Sequence, residues 1–313
     1  MAKVLISAKL EQEGVQLLRA VPGIEVIEVD PLNGDDLVAA LRGVQGLIVR
    51  SETKVKADVL EKTPDLKVIG RAGTGYDNID AKTAAARGIA VLIAPGGNTV
   101  TTAEHTLALM FALARHIPQA NEKLHRGEFD RKLVGVELTG KTLGVLGLGN
   151  IGAIVAERAQ GLKMKVIAHD PLTTPQRAAE LGVPLMTLEE VIRQADFLTV
   201  HTPMLPETKH IIGKRAFEIC KPGMRLINCA RGGLVDEAAL LEALNSGRLA
   251  GAALDVFEKE PPGADHPLVQ HPRVVCTPHL GASTSDAQTK VAEIICRNVG
   301  NFLTGREFVG RVN

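Results

Sequence analysis

The chain has 313 residues, of which 45% are apolar, and its 36 basic side chains are balanced by 36 acidic ones. This length favours two domains rather than one, each with enough apolar residues for a buried core. The balanced charge argues against a dedicated nucleic-acid or membrane-surface protein, and aromatic residues at only 3% argue against a base-stacking surface.

The first third of the chain alternates short β-branched runs with helical patterns. Strands are predicted over residues 3–7, 25–29, 46–49, 67–70 and 90–93, and helices over residues 11–20, 35–42, 56–62 and 81–87. Alternation of this kind implies parallel strands joined by crossover helices.

A Pro-Gly-Gly-Asn break at residues 95–98 ends that series. A helical stretch over residues 101–127 follows, and Pro118 should kink or interrupt it. Between Leu107 and Ala114 this stretch is apolar on nearly every side. Such a helix is expected to be buried, either in the core of the chain or against a second subunit.

A second α/β series occupies the rest of the chain. Its strands are predicted over residues 142–147, 165–169, 197–201, 225–229, 251–256 and 274–277, with a last helix over 285–303. Two α/β domains joined near Asn98 are the simplest partition.

The cysteines and the apolar runs bear on the compartment. Four cysteines in a chain of this length, none in a CxxC pair or at a metal-binding spacing, fit a reducing environment without a bound metal. No apolar run reaches the roughly eighteen residues of a membrane span, and the first residues resemble a strand rather than a signal peptide. We therefore expect a soluble cytoplasmic protein.

A GxGxxG pattern follows the predicted strand 142–147. Gly147 should permit the tight turn, Gly149 the approach of a pyrophosphate, and Gly152 the packing of helix on strand. Asp170 ends the next strand about twenty residues later, where a carboxylate accepts ribose hydroxyls and repels a 2′-phosphate. No arginine stands beside Asp170, so NAD is favoured over NADP. The pattern alone could also be a glycine-rich turn, and Asp170 a turn residue before Pro171.

Later strands end in groups suited to oxidising a 2-hydroxy acid. Ligands of open parallel sheets bind at the carboxyl ends of the strands, where Arg231, Asp255, Glu260 and His279 are expected. A histidine can take the hydroxyl proton, a carboxylate can stabilise the imidazolium, and an arginine can grip the substrate carboxylate with two hydrogen bonds.

The motifs together resemble those of the D-isomer-specific 2-hydroxyacid dehydrogenases. The matching segments are residues 49–51, 70–80, 97–99, 103–104, 142–152, 228–237, 253–261 and 278–284. The resemblance implies an NAD-dependent oxidoreductase with a Rossmann-type NAD domain, a flavodoxin-like substrate domain and a cleft between these two doubly wound α/β folds. It places the substrate domain at residues 1–98, completed by 285–313, and the NAD domain at residues 99–284.

The resemblance also assigns roles to residues. His279 would be the proton donor and acceptor, Glu260 its partner and Arg231 the substrate anchor. Besides the three glycines and Asp170, cofactor contacts would come from Thr74, Asn150, Ile151, Thr202, Cys229, Ala230, Arg231, Asp255, His279, Gly281 and Ala282. Substrate contacts would come from Arg50, Ser51, Gly73, Gly75, Asn98 and Arg131. Relatives pair through the region of residues 107–114, which implies a homodimer.

Among members of that family, the match over residues 71–80 and 228–237 is closer to those that act on 3-phosphoglycerate than to glyoxylate reductases. The phosphate of that substrate would need further cations, for which Arg50 and Arg131 are candidates. In relatives, the position of Arg131 reaches over from the partner subunit. Both could instead be surface arginines.

Several alternatives remain open. His201 is a rival base and Glu258 a rival partner, while His105 and His116 lie in the apolar helix and suit a core or an interface. Tyr76 stands where the family usually has a small aliphatic residue. Glyoxylate or hydroxypyruvate reduction, lactate oxidation and an NAD-sensing binding protein of the corepressor type are competing functions. A binding protein need not keep the histidine, carboxylate and arginine together.

Overall fold

The structure is a computed structural model that describes residues 1–313, and it divides into two compact units. Unit 1 comprises Met1–Asn98 and Ala282–Asn313, and unit 2 comprises Thr99–Gly281. Each unit contains one parallel sheet, which confirms the predicted pair of parallel-sheet α/β folds. No helix in the chain combines the length and the apolar character that crossing a membrane requires.

The N-terminal part of unit 1 supplies five strands and four connecting helices. The strands are β1 (Ala2–Ser7), β2 (Ile24–Val29), β3 (Gly46–Val49), β4 (Val68–Arg71) and β5 (Ala90–Leu92). The helices are α1 (Gln12–Arg19), α2 (Gly34–Ala40), α3 (Ala57–Glu61) and α4 (Ala81–Ala86). The strand order β2-β1-β3-β4-β5 reverses its winding between β1 and β3, so a ligand is expected at the carboxyl ends of those two strands.

Unit 2 contains six strands and seven helices. Its helices are α5 (Thr99–Arg115), α6 (Ile117–His125), α7 (Asn150–Gly161), α8 (Pro175–Glu180), α9 (Leu188–Gln194), α10 (Lys214–Ile219) and α11 (Glu237–Asn245). Its strands are β6 (Thr142–Leu146), β7 (Lys165–His169), β8 (Phe197–Val200), β9 (Met224–Asn228), β10 (Leu249–Leu254) and β11 (Val274–Cys276). In the order β11-β10-β9-β8-β6-β7 the winding reverses at β6, which places the glycine turn after β6 at the switch point.

Helix α12 (Ser285–Leu303) returns the chain to unit 1. It packs on α1 and β4, where Gly14 and Gly70 leave room for it: an added Cβ would lie 2.4 Å from the Ala292 carbonyl carbon and 2.6 Å from Val299. Beyond α12, Arg311 forms an antiparallel bridge with Leu92, and Asn313 Oδ1 accepts the Val91 amide at 2.8 Å. The last residues thus cover the outer edge of β5.

The predicted helix over residues 101–127 is two helices. His116 adopts a left-handed φ of 53° between them, and Pro118 lies in the first turn of α6, where its missing N–H is harmless. Within unit 2, α5 is buried on one side only. Leu109, Met110 and Leu113 face the core, whereas Phe111 is 39% exposed.

Candidate active site

The turn between β6 and α7 has the shape of a dinucleotide cradle. Gly147 has a φ of 90°, and an added Cβ would lie 2.8 Å from the His201 carbonyl carbon. At Gly152 a Cβ would meet the Gly147 carbonyl oxygen at 2.0 Å, whereas at Gly149 it would face open space. Gly149 supplies no side chain to cap α7, so the first amides of the helix, at Asn150 and Ile151, are open to an anion.

A second feature of the cradle points to a polar ligand. The hydroxyl oxygen of Thr202, beside Gly147, is buried without a hydrogen-bond partner in the protein. A buried hydroxyl normally has a partner, so one supplied by a ligand would complete it. The glycine turn, the helix end and this hydroxyl together fit a bound dinucleotide.

Asp170 follows β7 and joins its loop to the cradle. Its carboxylate accepts the amides of Leu148 at 2.7 Å and Leu172 at 2.8 Å. Burial opposes ionisation, but these amides and the Thr173 hydroxyl hold the pKa of Asp170 below its usual value. The guanidinium of Arg177 is engaged with Glu180 at 3.2 Å instead. Asp170 therefore presents a negative charge suited to ribose hydroxyls.

Close backbone contact brings the loops after β9 and β10 together. An added Cβ at Gly232 would lie 1.9 Å from the Phe257 carbonyl carbon and 2.4 Å from the Glu258 nitrogen, so only glycine fits. Asn228 shapes the first loop, because its amide donates to the Arg231 carbonyl at 2.8 Å. As a result Arg231 comes near enough to Glu260 for its charge to act on that carboxylate.

His279 and Glu260 form a hydrogen-bonded pair. Nδ1 of His279 lies 2.7 Å from Glu260 Oε2, and the other carboxylate oxygen accepts the Phe257 amide at 3.2 Å. Burial opposes ionisation of Glu260, but the His279 hydrogen bond and charge, with the Arg231 charge, hold its pKa below the usual value. Because Nδ1 faces Glu260 and the His279 side chain is 49% exposed, Nε2 is the nitrogen that can exchange a proton with a ligand.

Asp255, at the end of β10, supports the turn that carries His279. Only 1% of the residue is exposed, and its carboxylate accepts Thr277 Oγ1 at 2.6 Å and the amides of Leu280 and Gly281 at 2.7 and 2.8 Å. His105 Nε2 lies 3.2 Å from the same carboxylate. Burial opposes ionisation, but His105 and Thr277 help to hold the pKa of Asp255 below its usual value.

The rival residues have other partners. Burial of the His201 ring lowers its pKa to about 4, and its Nε2 lies 3.0 Å from Thr199 Oγ1. Glu258 lies 3.0 Å from His210 Nε2 and accepts the Glu237 amide, whereas Glu260 contacts His279. Cys229 and Ala230 follow β9, and burial raises the pKa of Cys229 to about 12, so its thiol stays neutral.

In unit 1 the predicted substrate residues lie on loops at the carboxyl end of the sheet. Arg50 directly follows β3. The last residue of β3, Val49, pairs with Arg71, the last residue of the adjacent strand β4. Asn78 binds the two loops together by donating to the Arg50 carbonyl at 2.9 Å and to the Thr53 carbonyl at 2.8 Å. Ser51, Gly73, Thr74, Gly75 and Asn98 lie on the same set of loops, where Thr74 Oγ1 donates to Asn98 Oδ1 at 3.3 Å.

Two further arginines lie one in each unit. Arg71 was not predicted as a site residue, although it ends β4 at the edge where Arg50 ends β3. Its guanidinium lies against Gly73, whose φ of 148° and lack of a Cβ make the space for it. Arg131 is exposed in the segment of unit 2 that follows α6.

Comparison with known proteins gives consistent matches. The family model for the NAD-binding domain of D-isomer specific 2-hydroxyacid dehydrogenases matches residues 107–281. D-3-phosphoglycerate dehydrogenase of Bacillus subtilis (strain 168) is 48% identical over 314 residues, which cover 100% of this chain and 59% of that protein. The chain thus spans about 59% of the length of that curated relative.

Solved structures match over nearly the whole chain. The TT0316 protein from Thermus thermophilus superposes with a TM-score of 0.91 at 36% identity, covering 99% of this chain and 100% of that one. A glyoxylate reductase from Paecilomyes thermophila superposes with a TM-score of 0.90 at 27% identity, covering 99% of this chain and 98% of that one. D-lactate dehydrogenase from Escherichia coli also superposes, with a TM-score of 0.87 at 27% identity, covering 100% of both chains. The fold is therefore shared with proteins of more than one named activity.

Proposed function

The chain belongs to the D-isomer-specific 2-hydroxyacid dehydrogenase family, and we propose that it oxidises 3-phospho-D-glycerate to 3-phosphohydroxypyruvate, the first step of serine biosynthesis. The observation that carries the proposal is the 2.7 Å pair of His279 and Glu260 beside Arg231. The name of the Bacillus subtilis relative supports this choice of substrate.

The cofactor is NAD, as the family model states. We assign its pyrophosphate to the turn at Gly147, Gly149 and Gly152 and to the start of α7, and its ribose to Asp170. The remaining contacts assigned to it are Thr74, Asn150, Ile151, Thr202, Cys229, Ala230, Arg231, Asp255, His279, Gly281 and Ala282. When bound, the nicotinamide supplies the acceptor for the hydride from C2 of the substrate.

The protein's own groups would carry the proton and the charge. His279 Nε2 takes the proton of the C2 hydroxyl as the C–H electron pair leaves and the carbonyl forms. Glu260 stabilises the resulting imidazolium, because its lowered pKa keeps it ionised at neutral pH. Arg231 binds the substrate carboxylate, which a guanidinium can grip with two parallel hydrogen bonds.

We assign the rest of the substrate to unit 1. The amide of Gly75, with Ser51 and Asn98, would help to hold the carboxylate end, whereas the Gly73 amide already donates to the Arg71 carbonyl at 2.8 Å. Arg50 would bind the phosphate, with Arg71 beside it in the adjacent strand. Arg131 would add a further cation from a partner subunit.

We also propose that the chain forms a homodimer through α5 and α6. A groove lined by Phe111, Arg115, Ile117, Ala120, Asn121 and Leu124 runs along these helices. Ile117 is 52% and Leu124 is 60% exposed, so a second copy of the surface would bury apolar area that unit 2 leaves in water. The four free cysteines fit a cytoplasmic location.

The proposed function is tested by a panel of substrates. NADH formation is measured with 3-phosphoglycerate, D-glycerate and D-lactate, and NADH consumption with glyoxylate and hydroxypyruvate. The proposal predicts the highest kcat/KM for 3-phosphoglycerate. A far higher value for glyoxylate or hydroxypyruvate would establish a reductase instead, and NADH binding without turnover of any substrate would indicate a binding protein.

A further inference from the structure

We propose that His105 is a positioning residue, which fixes Asp255 and, through it, the turn that aims His279. The inference rests on the proposed function, because it concerns the group that would move the proton. No sequence motif pointed to it: His105 lies on α5, 150 residues from Asp255 in the chain.

The contact between His105 and Asp255 lies inside unit 2. The His105 side chain is 19% exposed and that of Asp255 is fully buried, and His105 Nε2 lies 3.2 Å from Asp255 Oδ1 and 3.1 Å from Thr277 Oγ1. Since the Asp255 carboxylate accepts the Thr277 hydroxyl at 2.6 Å, the Thr277 oxygen is left as an acceptor. Both neighbours of Nε2 are then acceptors, so Nε2 carries a hydrogen and donates it.

Asp255 in turn determines the shape of the segment from Thr277 to Gly281. Its side chain accepts the amides of Leu280 and Gly281, and its carbonyl accepts the His279 amide at 2.9 Å. His279 itself has a φ of 56°, a left-handed conformation that is costly for a residue other than glycine. The surroundings must therefore hold this turn, and Asp255 is its centre.

Removing the histidine would disturb that centre. Asp255 would keep the donors of Thr277, Leu280 and Gly281, but a fully buried carboxylate cannot replace a lost donor with water. The carboxylate would shift towards its remaining donors, and the His279 ring would move relative to Glu260. The other ionisable groups near this path are the Cys229 thiol, whose pKa the Asp255 charge helps to raise, and Arg231 beside Glu260.

The test compares His105→Phe, which keeps the ring size without a donor, with His105→Gln, which can still donate. We expect His105→Phe to lower kcat by about ten- to a hundredfold, because a misplacement of about 1 Å can cost about 10²-fold in rate. The dissociation constant for NADH should change far less, and His105→Gln should recover most of kcat. His271→Phe, the same change at a histidine that precedes β11, at the opposite end of this strand from His279, serves as the matched control.

A second measurement does not depend on the substrate. In protein labelled with ¹⁵N-histidine, the signal of the proton between His279 Nδ1 and Glu260 is followed by NMR. In His105→Phe this signal should weaken or move upfield, because the ring moves relative to the carboxylate that holds it at 2.7 Å. A wild-type protein inactive on every 2-hydroxy acid would refute the proposed function, while this spectrum would still test His105.

Several outcomes would overturn the positioning role. One is a folded His105→Phe protein with unchanged kcat and an unchanged signal of the proton between His279 and Glu260. Another is a loss of kcat matched by an equal loss of NADH binding, with no rescue by His105→Gln, which would indicate a structural role only. If His105→Phe does not fold, Thr277→Val removes another side-chain donor from the same Asp255 oxygen and must change the signal of the proton between His279 and Glu260.

Discussion

The carboxyl-end loops of the two sheets are ordered in different ways. In unit 2 the side chains are held: His279 and Glu260 share a 2.7 Å hydrogen bond, and Asp255 supports the turn beneath. In unit 1 the backbone is held, by Asn78, while the Arg50 guanidinium makes only a 3.4 Å contact with the Lys9 carbonyl. A proton-transfer group needs a fixed partner, whereas a group that recognises charge can close on its ligand. This difference suggests chemistry in unit 2 and recognition in unit 1.

The largest expected effect comes from removing the base. His279→Ala should lower kcat by about 10²–10⁴-fold, the usual contribution of general acid–base catalysis. NADH binding, followed by fluorescence, should persist because the glycine cradle is intact. If turnover stayed near normal, the base would have to be reassigned to His201.

Glu260→Gln removes the negative charge beside His279 with little change in the shape of the side chain. The amide cannot stabilise the imidazolium as a carboxylate does, so the base should lose its proton at lower pH. The acidic limb of the pH profile of kcat/KM for oxidation should therefore move to lower pH. An unchanged profile would show that the 2.7 Å contact does not tune the base.

Arg50→Ala tests recognition in unit 1. It should raise the KM for 3-phosphoglycerate roughly tenfold or more, since a hydrogen bond to a charged group is worth about 1.5–3 kcal/mol. The kcat and the affinity for NADH should hardly change. Arg231→Ala is the counterpart in unit 2 and should lower kcat/KM more than Arg50→Ala does. If Arg50→Ala left the KM unchanged and glyoxylate were the better substrate, the assignment of substrate recognition to unit 1 would be wrong.

A smaller effect is expected at Asp170. The wild-type protein should prefer NAD over NADP, because a carboxylate at this place repels the 2′-phosphate. Asp170→Ala should weaken that preference, measured as the ratio of kcat/KM for the two cofactors. Equal kcat/KM values for the two cofactors in the unmodified protein would contradict the assignment.

A substitution at Asp196, which directly precedes β8 in unit 2, should change stability but not activity. Asp196 accepts the Thr142 amide at 2.8 Å and the Lys221 ammonium at 3.0 Å. Burial opposes its ionisation, but these groups hold its pKa below the usual 3.8. Asp196→Asn should lower the free energy of unfolding by about 1 kcal/mol at pH 7 without changing kcat.

The pH dependence of that loss follows from the sign of the shift. A group whose folded-state pKa is depressed stabilises the fold above its usual pKa, here 3.8, and less as the pH falls through the lower value. The difference between Asp196→Asn and wild type in denaturant unfolding should therefore shrink below about pH 4. A constant difference would show that the charge of Asp196 is not involved.

Local patterns predicted most of the fold, because each strand and the glycine turn depend on residues that are close together in the sequence. The helices α8 to α11 were not predicted, although three of them carry readable start signals. Thr174 caps α8 ahead of Pro175, Thr187 and Glu190 form a capping box at α9, and Asp236 caps α11. These signals predict α8, α9 and α11, whereas α10 has no side-chain cap.

The unpredicted parts of the site depend on contacts between distant segments. Two such contacts form only once the strands are assembled. One joins His105 to Asp255, and the other is the close backbone contact of Gly232 with Phe257. The apolar character of α5 was clear from sequence, but the exposure of Phe111 depends on which neighbours the fold supplies. Composition reports that a face is apolar and not what covers it.

The return of the chain to unit 1 has a consequence for biosynthesis. Unit 2 is contiguous, so all of its residues have been made once Gly281 has been added. Unit 1 lacks α12, and the strand edge at β5 lacks its cover, until the residues up to Asn313 follow. Because domains generally fold as units during synthesis, the N-terminal segment of unit 1 is translated before unit 2, but unit 1 is completed after unit 2. Until then the surface at Gly70 and Gly14 on which α12 packs is uncovered.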